Sequence, residues 1–222
     1  MKRPRRIAIF GGTFDPIHAG HLRSARIVGR RFGLDRILFV PASIPPHKAR
    51  PDMAPAAERY RMVQLAVAGR GGWTVSPVEI RAGGTSYSIR TIERMRRRFP
   101  GAHLFFITGA DAFRDIKTWR EWERVLRSCV FIVTTRPGAG LEASVRGLGP
   151  KYAGCIRKLG RTGSVREDEL IPGRIFLLPI DALSVSSTEI RKRARLDRPL
   201  GRLAPPAVAA HIRARRLYEG GF

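Results

Sequence analysis

The feature that most constrains this chain is the alternation of short apolar runs with longer segments of helical period. Several of the apolar runs are nearly continuous in Ile, Leu, Val and Phe, as expected for strands that are buried on both faces. Strands and helices that alternate in this way predict a parallel sheet covered by helices, which is an α/β fold. The predicted strands are Arg6–Phe10, Arg36–Val40, Trp73–Val78, His103–Thr108, Val130–Thr134 and Arg174–Leu178.

The predicted helices follow the strands closely along the chain. They are Gly20–Arg31, Pro55–Ala68, Ser88–Arg98, Trp119–Arg127, Ser187–Arg195 and Pro205–Tyr218. In the last of these, Val208, Ile212 and Leu217 share one face at helical spacing, which predicts a helix packed on the core.

The length and composition favour one compact domain over residues 1–222. With 43% hydrophobic and 27% charged residues, the chain can bury a sizeable core, which excludes a disordered, collagen-like or disulfide-stapled protein. Residues 139–173 are rich in glycine and lack a clear period, so they are interpreted as a surface insertion. Residues 184–222 form the C-terminal helical part.

The charge is strongly positive and allows two interpretations. Lys and Arg number 42 against 18 Asp and Glu, which gives a net charge of +24. These basic residues are spread along the chain, which fits a compositional bias on a solvated surface. The same charge also attracts polyanions, either nucleotide phosphates or nucleic acid. Charge alone does not choose between the two.

The chain carries no signal for export or membrane insertion. Its basic N-terminus is followed by the short apolar run Ile7–Phe10, and no other window approaches the length of a membrane span. Cys129 and Cys155 suggest neither a zinc site nor a disulfide framework. A cytoplasmic protein without a membrane partner is expected.

The most informative motif follows the first predicted strand. Residues 11–22 read GGTFDPIHAGHL and open the first helix, so their backbone amides can approach a phosphate at a helix N-terminus. His18 and His21 stand three apart, which places both imidazoles over one face toward the same anion. Three alternatives remain: a metal site that includes Asp15, polar packing at a helix start, and a simple Gly-Gly turn.

The second motif, PASIPPHK at residues 41–48, follows the second predicted strand. Its two adjacent prolines stiffen the loop and present Lys48 at a low entropic cost. The ammonium group could meet a triphosphate. A basic surface loop is the alternative.

The third motif, SVSSTEIR at residues 184–191, opens a late helix. Ser186 and Glu189 have the spacing of a capping box, a purely structural explanation. If Ser187 and Thr188 occupy the first turn, their amides and hydroxyls are free for an anion, and Arg191 follows one turn later as a fixed cation. A second anion site is therefore expected here.

The fourth motif combines the end of a strand with two tryptophans. Gly109 at the strand end allows close approach of a ligand, and Asp111 is a candidate acceptor for a ribose hydroxyl. Trp119 and Trp122 stand three apart. Core packing at helical spacing is the favoured explanation for Trp122.

Together these motifs resemble one family, the bacterial nicotinate-nucleotide adenylyltransferases. The resemblance rests on GGTFDPIHAGHL, PPHK, the Ser86-Tyr87 pair, Gly109 to Asp111, the Trp119–Trp122 spacing and SSTEIR, and it covers nearly the whole chain in order. The family usually has Asp where this chain has Arg90, which reverses the charge at this position near the residues assigned to the pyridine nucleotide.

The resemblance implies a Rossmann-like, doubly wound, mostly parallel sheet with helices on both faces, and transfer of an adenylyl group from ATP to nicotinate mononucleotide. It implies four catalytic residues: His18, His21, Lys48 and Arg191. The ATP site would comprise Gly11, Gly12, Thr13, Phe14, His18, His21, Lys48, Gly109, Asp111, Arg136, Ser187, Thr188 and Arg191. The nicotinate nucleotide would contact Thr13, Tyr87, Ser88 and Trp119. Mg²⁺ would arrive with ATP, because no carboxylate cluster offers a protein cage.

Two functions from other classes compete with this one. A nucleic-acid-binding or ribosome-binding module would account for the charge, but the chain has no basic tail or binding signature, so no nucleic-acid partner is expected. A metal-dependent hydrolase would use Asp15, His18 and His21. A homo-oligomer is compatible with the sequence, which does not determine the oligomeric state.

Overall fold

The structure is a computed structural model that describes residues 3–46, 50–135, 141–160, 162–180 and 185–219. Within these ranges the strands are β1 (Arg6–Gly12), β2 (Arg36–Pro41), β3 (Trp73–Val75), β4 (His103–Gly109), β5 (Val130–Thr135), β6 (Ile156–Lys158) and β7 (Ile175–Pro179). The described helices are α1 (Ala19–Arg31), α2 (Ala56–Val67), α3 (Val78–Ala82), α4 (Ser88–Arg98), α5 (Ala110–Arg114), α6 (Trp122–Arg127), α7 (Leu141–Val145), α8 (Ser187–Arg195) and α9 (Pro206–Ala214).

The strands form one parallel sheet in the order β3-β2-β1-β4-β5-β7-β6. In its register Phe10 of β1 lies opposite Ile107 of β4, and Gly109 of β4 lies opposite Thr134 of β5. Every residue of β5 is buried, as its continuous apolar run predicts. The Rossmann-like α/β fold expected from the sequence is confirmed.

Several predictions of local structure were wrong. The strand predicted over Trp73–Val78 ends at Val75, and Val78 begins α3, because Pro77 has no N–H to donate to a sheet. The helix predicted from Trp119 begins at Trp122, because Glu121 adopts a left-handed backbone with φ of 53° and interrupts the helical path. The sequence also did not predict β6, which pairs with β7 inside the stretch interpreted as an insertion. A three-residue strand that reads Ile-Arg-Lys has too short an apolar run to be recognised.

Contacts divide the chain into two compact units, while the expectation of a single domain stays a prediction. One unit comprises Met1–Gly11, Ser24–Leu38 and Tyr87–Ala182. Its core contains aromatic side chains, with the ring of Phe32 5.9 Å from Phe105 and 5.2 Å from Phe176 between centroids. Both contacts are edge-on, the arrangement that aromatic quadrupoles favour. The predicted insertion also contributes to this unit's core, through the buried Leu148, Tyr152, Leu159 and Leu170.

The other unit comprises Gly12–Arg23, Phe39–Ser86 and Leu183–Phe222. Helix α2 buries Met62 and Val63 completely, and α9 buries Val208 and Ile212. The predicted packing face of the last helix is therefore confirmed for these two residues, whereas α9 ends before Leu217.

None of the helices that the structure describes has the length and apolar character that are required to cross a bilayer.

Candidate active site

The loop between β1 and α1 is held by a buried aromatic side chain. Phe14 is 3% exposed, lies edge-on to His21 at 5.2 Å between ring centroids, and packs on Phe39 at 6.1 Å. Its φ of 49° is a conformation that a bulky residue rarely adopts. Such a conformation persists where the surrounding structure enforces it, and it is typical of functional loops.

The two histidines of the first motif meet face to face. The rings of His18 and His21 stack with centroids 3.7 Å apart and an interplanar angle of 29°. The backbone N–H of His18 donates to Nδ1 of His21 at 3.2 Å, and the N–H of His21 donates to Nδ1 of His18 at 3.4 Å. Because a nitrogen that accepts carries no proton, each neutral ring has its proton on Nε2. The prediction that both imidazoles share one face is confirmed.

Glycine is required within this motif by close packing. A Cβ at Gly20 would lie 3.0 Å from Cε1 of His18 and 3.1 Å from Cγ1 of Val185. A Cβ at Gly12 would lie 3.1 Å from the ring of Phe14. These distances are shorter than ordinary contacts, so a side chain at either position would displace the aromatic rings that shape the loop.

Asp15 is the centre of a buried polar cluster. Its carboxylate, 3% exposed, accepts hydrogen bonds from Nη2 of Arg50 at 2.6 Å, from the backbone N–H of Ala54 at 3.1 Å and from the hydroxyl of Tyr218 at 2.8 Å. These donors use both carboxylate oxygens. Across the described ranges, no three His, Cys, Asp or Glu residues form a group that could hold a metal ion. The Asp15 carboxylate therefore binds donors of the protein itself. This geometry does not support the metal site that was considered from the sequence.

Arg191 of α8 contacts the same loop from its buried side. Its Nη1 donates to the backbone carbonyl of Asp15 at 2.7 Å, and its Nη2 donates to the hydroxyl of Thr188 at 3.2 Å. Burial lowers the pKa of Arg191, with the nearby Arg50 acting in the same direction and Asp15 opposing it. The Arg191 guanidinium was expected to face a triphosphate. In the structure it donates a hydrogen bond to the loop that carries His18.

The start of α8 confirms one sequence expectation and corrects another. The hydroxyl of Ser186 accepts from the N–H of Glu189 at 3.1 Å, which is the predicted cap, whereas the Glu189 carboxylate pairs with Arg193 at 2.8 Å. Ser187 and Thr188 occupy the first turn, where an N–H has no intrahelical acceptor. The prediction that both hydroxyls are free was wrong, because Ser187 donates to the carbonyl of Pro16 at 2.9 Å and Thr188 accepts from Arg191.

Sequence reasoning missed Arg59, the largest of the fully buried side chains described. Its guanidinium donates to four backbone carbonyls at 2.7 to 3.0 Å, those of Thr13, Ala42, Ser43 and Ala54. It thereby joins the loops after β1 and β2 to the start of α2. Burial lowers its pKa, and Asp15 opposes this. The available signal was an arginine at helical spacing on the stripe that Met62, Val63 and Ala66 bury.

The predicted residues after β4 lie in an open setting. A Cβ built on Gly109 has no heavy atom within 4 Å, which leaves space for a ligand. Asp111 begins the first turn of α5 with its side chain 70% exposed, and its Oδ1 lies 3.4 Å from Nη2 of Arg114. An exposed carboxylate at this position can accept hydrogen bonds from a ligand.

Three of the four residues assigned to the pyridine nucleotide, Tyr87, Ser88 and Trp119, lie in the same compact unit as Gly109, whereas Thr13 lies in the other unit. Ser88 begins α4 directly after Tyr87, and the ring of Trp119 lies edge-on to Phe106 at 5.8 Å between centroids. The guanidinium carbon of Arg90 lies 5.5 Å from the centroid of Tyr87, and that of Arg120 lies 4.9 Å from it. Two cations therefore flank this tyrosine.

Three other residues complete the account of the predicted site. Lys48 and Arg136, assigned to ATP, lie outside the described residues. Trp122, for which core packing was expected, is half-buried against Tyr152 at 5.7 Å between centroids, with the ammonium groups of Lys117 and Lys151 each 5.9 Å from its ring.

The strand order explains why the candidate functional residues follow strands. Because β1 and β4 are adjacent and parallel, their carboxyl ends lie at the same edge of the sheet. A Cβ on Gly11 would lie 3.3 Å from Cζ of Phe106, so these strands pack closely just before the edge. In open α/β sheets ligands bind outside the carboxyl ends of strands, where the strand order reverses. Here the order reverses between β1 and β4.

Comparison with known proteins identifies the family. Residues 9–193 match the family model described as "Cytidylyltransferase-like". The chain is 38% identical over 219 residues to a Corynebacterium glutamicum protein named "Probable nicotinate-nucleotide adenylyltransferase", covering 99% of this chain and 91% of the relative. A Moorella thermoacetica protein of the same name is 40% identical over 222 residues, covering 99% of this chain and 94% of the relative.

The fold is also similar to that of a solved structure. The nicotinic acid mononucleotide adenylyltransferase of Plasmodium falciparum, complexed with NaAD, superposes with a TM-score of 0.70 at 18% sequence identity. The superposition covers 96% of this chain and 97% of the other. At this level of identity the likeness concerns the fold.

Proposed function

The chain belongs to the nicotinate-nucleotide adenylyltransferases within the cytidylyltransferase-like family, and we propose from this how its residues carry out the reaction. The enzyme transfers the adenylyl group of ATP to nicotinate mononucleotide, giving deamido-NAD and pyrophosphate in NAD biosynthesis. The observation that carries the residue assignment is the stacked pair His18 and His21, which lies beside the glycine loop that follows β1.

The chemistry requires alignment and charge stabilisation. A phosphate oxygen of the mononucleotide attacks the α-phosphorus of ATP, and the bond from that phosphorus to the bridging oxygen of pyrophosphate breaks in line, with the electron pair leaving on pyrophosphate. Since the attacking oxygen is already anionic, no general base or covalent nucleophile is needed. His18 and His21 donate hydrogen bonds to the reacting phosphoryl oxygens, where negative charge shifts in the transition state.

The start of α8 is proposed to hold the leaving phosphates. The amides of Ser187 and Thr188 open this helix, whose dipole favours an anion at its N-terminus. Arg191 supports this end of the site by fastening the Asp15 carbonyl. Lys48 and Arg136 stay predicted ATP ligands, as do the backbone of residues 11–14 and Gly109, while Asp111 is proposed to accept from a ribose hydroxyl.

ATP is proposed to enter as its magnesium complex. Mg²⁺ prefers oxygen ligands in octahedral geometry and commonly keeps several waters together with substrate phosphates. In the ranges that the structure describes, the acidic side chain nearest the histidines in sequence, Asp15, is occupied by three protein donors. The ligands of the ion would therefore be phosphate oxygens and water.

The nicotinate moiety is proposed to bind near Tyr87, Ser88 and Trp119, with Thr13 on the nucleotide. The N–H groups at the start of α4 can donate to the nicotinate carboxylate, and Trp119 offers a ring face for stacking. Arg90 and Arg120, which flank Tyr87, add positive charge beside that carboxylate. The amide of nicotinamide would place its own N–H donors against the N–H donors of the protein, and these cannot pair with one another. Nicotinate mononucleotide should therefore be preferred.

A single assay tests this function. Pyrophosphate release from MgATP is measured with nicotinate mononucleotide, nicotinamide mononucleotide and phosphopantetheine as acceptors, and the expected result is turnover with nicotinate mononucleotide at least about tenfold higher in kcat/KM than with the others. Release without any acceptor would support a hydrolase. Absence of turnover together with salt-sensitive RNA binding would support the nucleic-acid-binding alternative.

A further inference from the structure

The C-terminal segment reaches the loop that carries the histidines. The hydroxyl of Tyr218 donates to Oδ1 of Asp15 at 2.8 Å, although the two residues are 203 positions apart in sequence. Tyr218 is 8% exposed and Asp15 is 3% exposed, so this hydrogen bond is shielded from water. A buried bond to a charged acceptor is stronger than its exposed equivalent.

The hydroxyl is held in the donor form. Burial raises the pKa of Tyr218 above its ordinary value, and the adjacent Asp15 carboxylate raises it further. Both effects favour the protonated phenol, which donates to the carboxylate. Arg50 and the N–H of Ala54 supply the other donors to the carboxylate, so the direction of each bond is unambiguous.

The backbone around Tyr218 adopts an uncommon conformation to make this contact. Helix α9 ends at Ala214, and the N–H of Leu217 returns to the carbonyl of Ile212 at 3.0 Å, which turns the chain. Tyr218 then has a φ of 72°, in the left-handed region that aromatic residues seldom occupy. A conformation of this kind is typical of positions that carry a functional constraint.

Asp15 is joined directly to the reacting part of the loop. Its own carbonyl accepts from Arg191, and the carbonyl of the next residue, Pro16, accepts from Ser187. His18 follows two residues after Pro16. The fixed Asp15 carboxylate thus orients the backbone of residues 15–18. That backbone in turn determines where the imidazoles of His18 and His21 stack.

We propose that Tyr218 is a positioning residue for adenylyl transfer, acting through Asp15 on the orientation of His18 and His21. The inference rests on the proposed function of the two histidines and extends it to a residue at the far end of the chain. Loss of the hydroxyl should shift the imidazole donors relative to the α-phosphorus while leaving the binding surfaces for ATP and the mononucleotide in place.

The test is Tyr218→Phe, which removes one oxygen and keeps the ring. We expect the single-turnover rate of deamido-NAD formation to fall about tenfold, below the 10²-fold that a 1 Å misplacement can cause, with KM for both substrates within about twofold of wild type. The matched control is His211→Ala on α9, seven residues before Tyr218, which breaks the Nε2 contact with Glu58 at 2.7 Å and does not touch Asp15. It should lower the urea midpoint and leave the rate unchanged.

A double variant separates positioning from general stabilisation. If Tyr218 acts through Asp15, the rate penalty of Tyr218→Phe should largely disappear in an Asp15→Ala background, where the Tyr218 hydroxyl has no carboxylate acceptor. An unchanged rate in Tyr218→Phe, or an equal loss of rate in His211→Ala, would overturn the proposal. Failure of the proposed function is distinguishable, since wild type itself would then release no pyrophosphate with any acceptor.

Discussion

The loop after β1 and the surroundings of Tyr87 differ in how completely the protein holds their polar side chains. In the loop, Asp15 is 3% exposed and accepts three hydrogen bonds, and His18 is buried against His21. In the other region, Arg90 and Arg120 are exposed residues whose guanidinium groups lie over the Tyr87 ring. The first region is arranged before any ligand binds, whereas the second presents groups to solvent.

This difference matches two physical tasks. Donors that stabilise a transition state act best when their orientation needs no reorganisation during the reaction, so they belong in a buried and fully bonded loop. Groups that select among substrates gain their partners on binding and need access instead. Changes in the loop should therefore lower kcat and stability, and changes around Tyr87 should alter KM or selectivity alone.

The largest effect is expected from Asp15→Ala. Removing the carboxylate leaves the buried Tyr218 hydroxyl and the Ala54 N–H without their acceptor and Arg191 without its nearby counter-charge, so unfolding should become easier by about 3–5 kcal/mol. Urea unfolding measures this. The control is Asp111→Ala, which removes a carboxylate that is exposed to solvent. An equal loss of stability in both variants would show that the burial of Asp15 makes no difference.

His21→Ala should act on the rate with little effect on binding. Loss of one prearranged donor should lower kcat by about 10²-fold while KM for ATP changes little. Steady-state kinetics with varied ATP provide the measurement, and His103→Ala, a histidine at the start of β4, is the control. A normal kcat with a raised KM for ATP would instead assign His21 to ground-state binding.

Trp119→Ala should produce the opposite kinetic pattern. Loss of a stacking face should raise KM for nicotinate mononucleotide about tenfold, within the 1–3 kcal/mol that aromatic stacking on a base contributes, and leave KM for ATP unchanged. Trp122→Ala is the matched control because Trp122 packs on Tyr152. Equal effects of both variants on KM would make Trp119 a structural residue.

Arg90→Ala tests the one charge reversal against the family pattern. Because Arg90 is exposed, its attraction for the nicotinate carboxylate should be screened, and the ratio of kcat/KM between the acid and the amide should fall by about two- to fivefold, more at low salt. Arg94→Ala on the same helix is the control. An unchanged ratio at every salt concentration would show that Arg90 does not interact with the nicotinate carboxylate.

The smallest effect concerns pH. The hydrogen bond from His211 lowers the pKa of Glu58, against the opposing effect of burial, with Arg215 also lowering it. A carboxyl group with a depressed folded pKa contributes stability above its unfolded pKa and loses it as the pH falls through the folded pKa. Glu58→Gln should therefore reduce stability at neutral pH and flatten the loss of stability on acidification, as measured by urea unfolding at several pH values. A parallel shift at all pH values would contradict this.

Local patterns in the sequence were sufficient for most of the fold and for the histidine pair. Continuous apolar runs predicted six of the strands because a parallel sheet buries both of its faces. The three-residue spacing of His18 and His21 predicted their convergence because neighbouring positions on a helical turn share a face. Short elements such as β6 escaped because a few residues carry too little periodicity.

Tertiary structure alone decided which polar groups are bound to one another. Composition and spacing showed Asp15, Arg59, Arg191 and Tyr218 as separate residues, whereas the fold places three of them around Asp15 or its loop. The hydroxyls of Ser187 and Thr188, predicted to be free, were taken by partners in the same way. The physical reason is that apolar periodicity is a local property of the chain, while the satisfaction of a buried polar group depends on donors brought close from distant parts of the sequence.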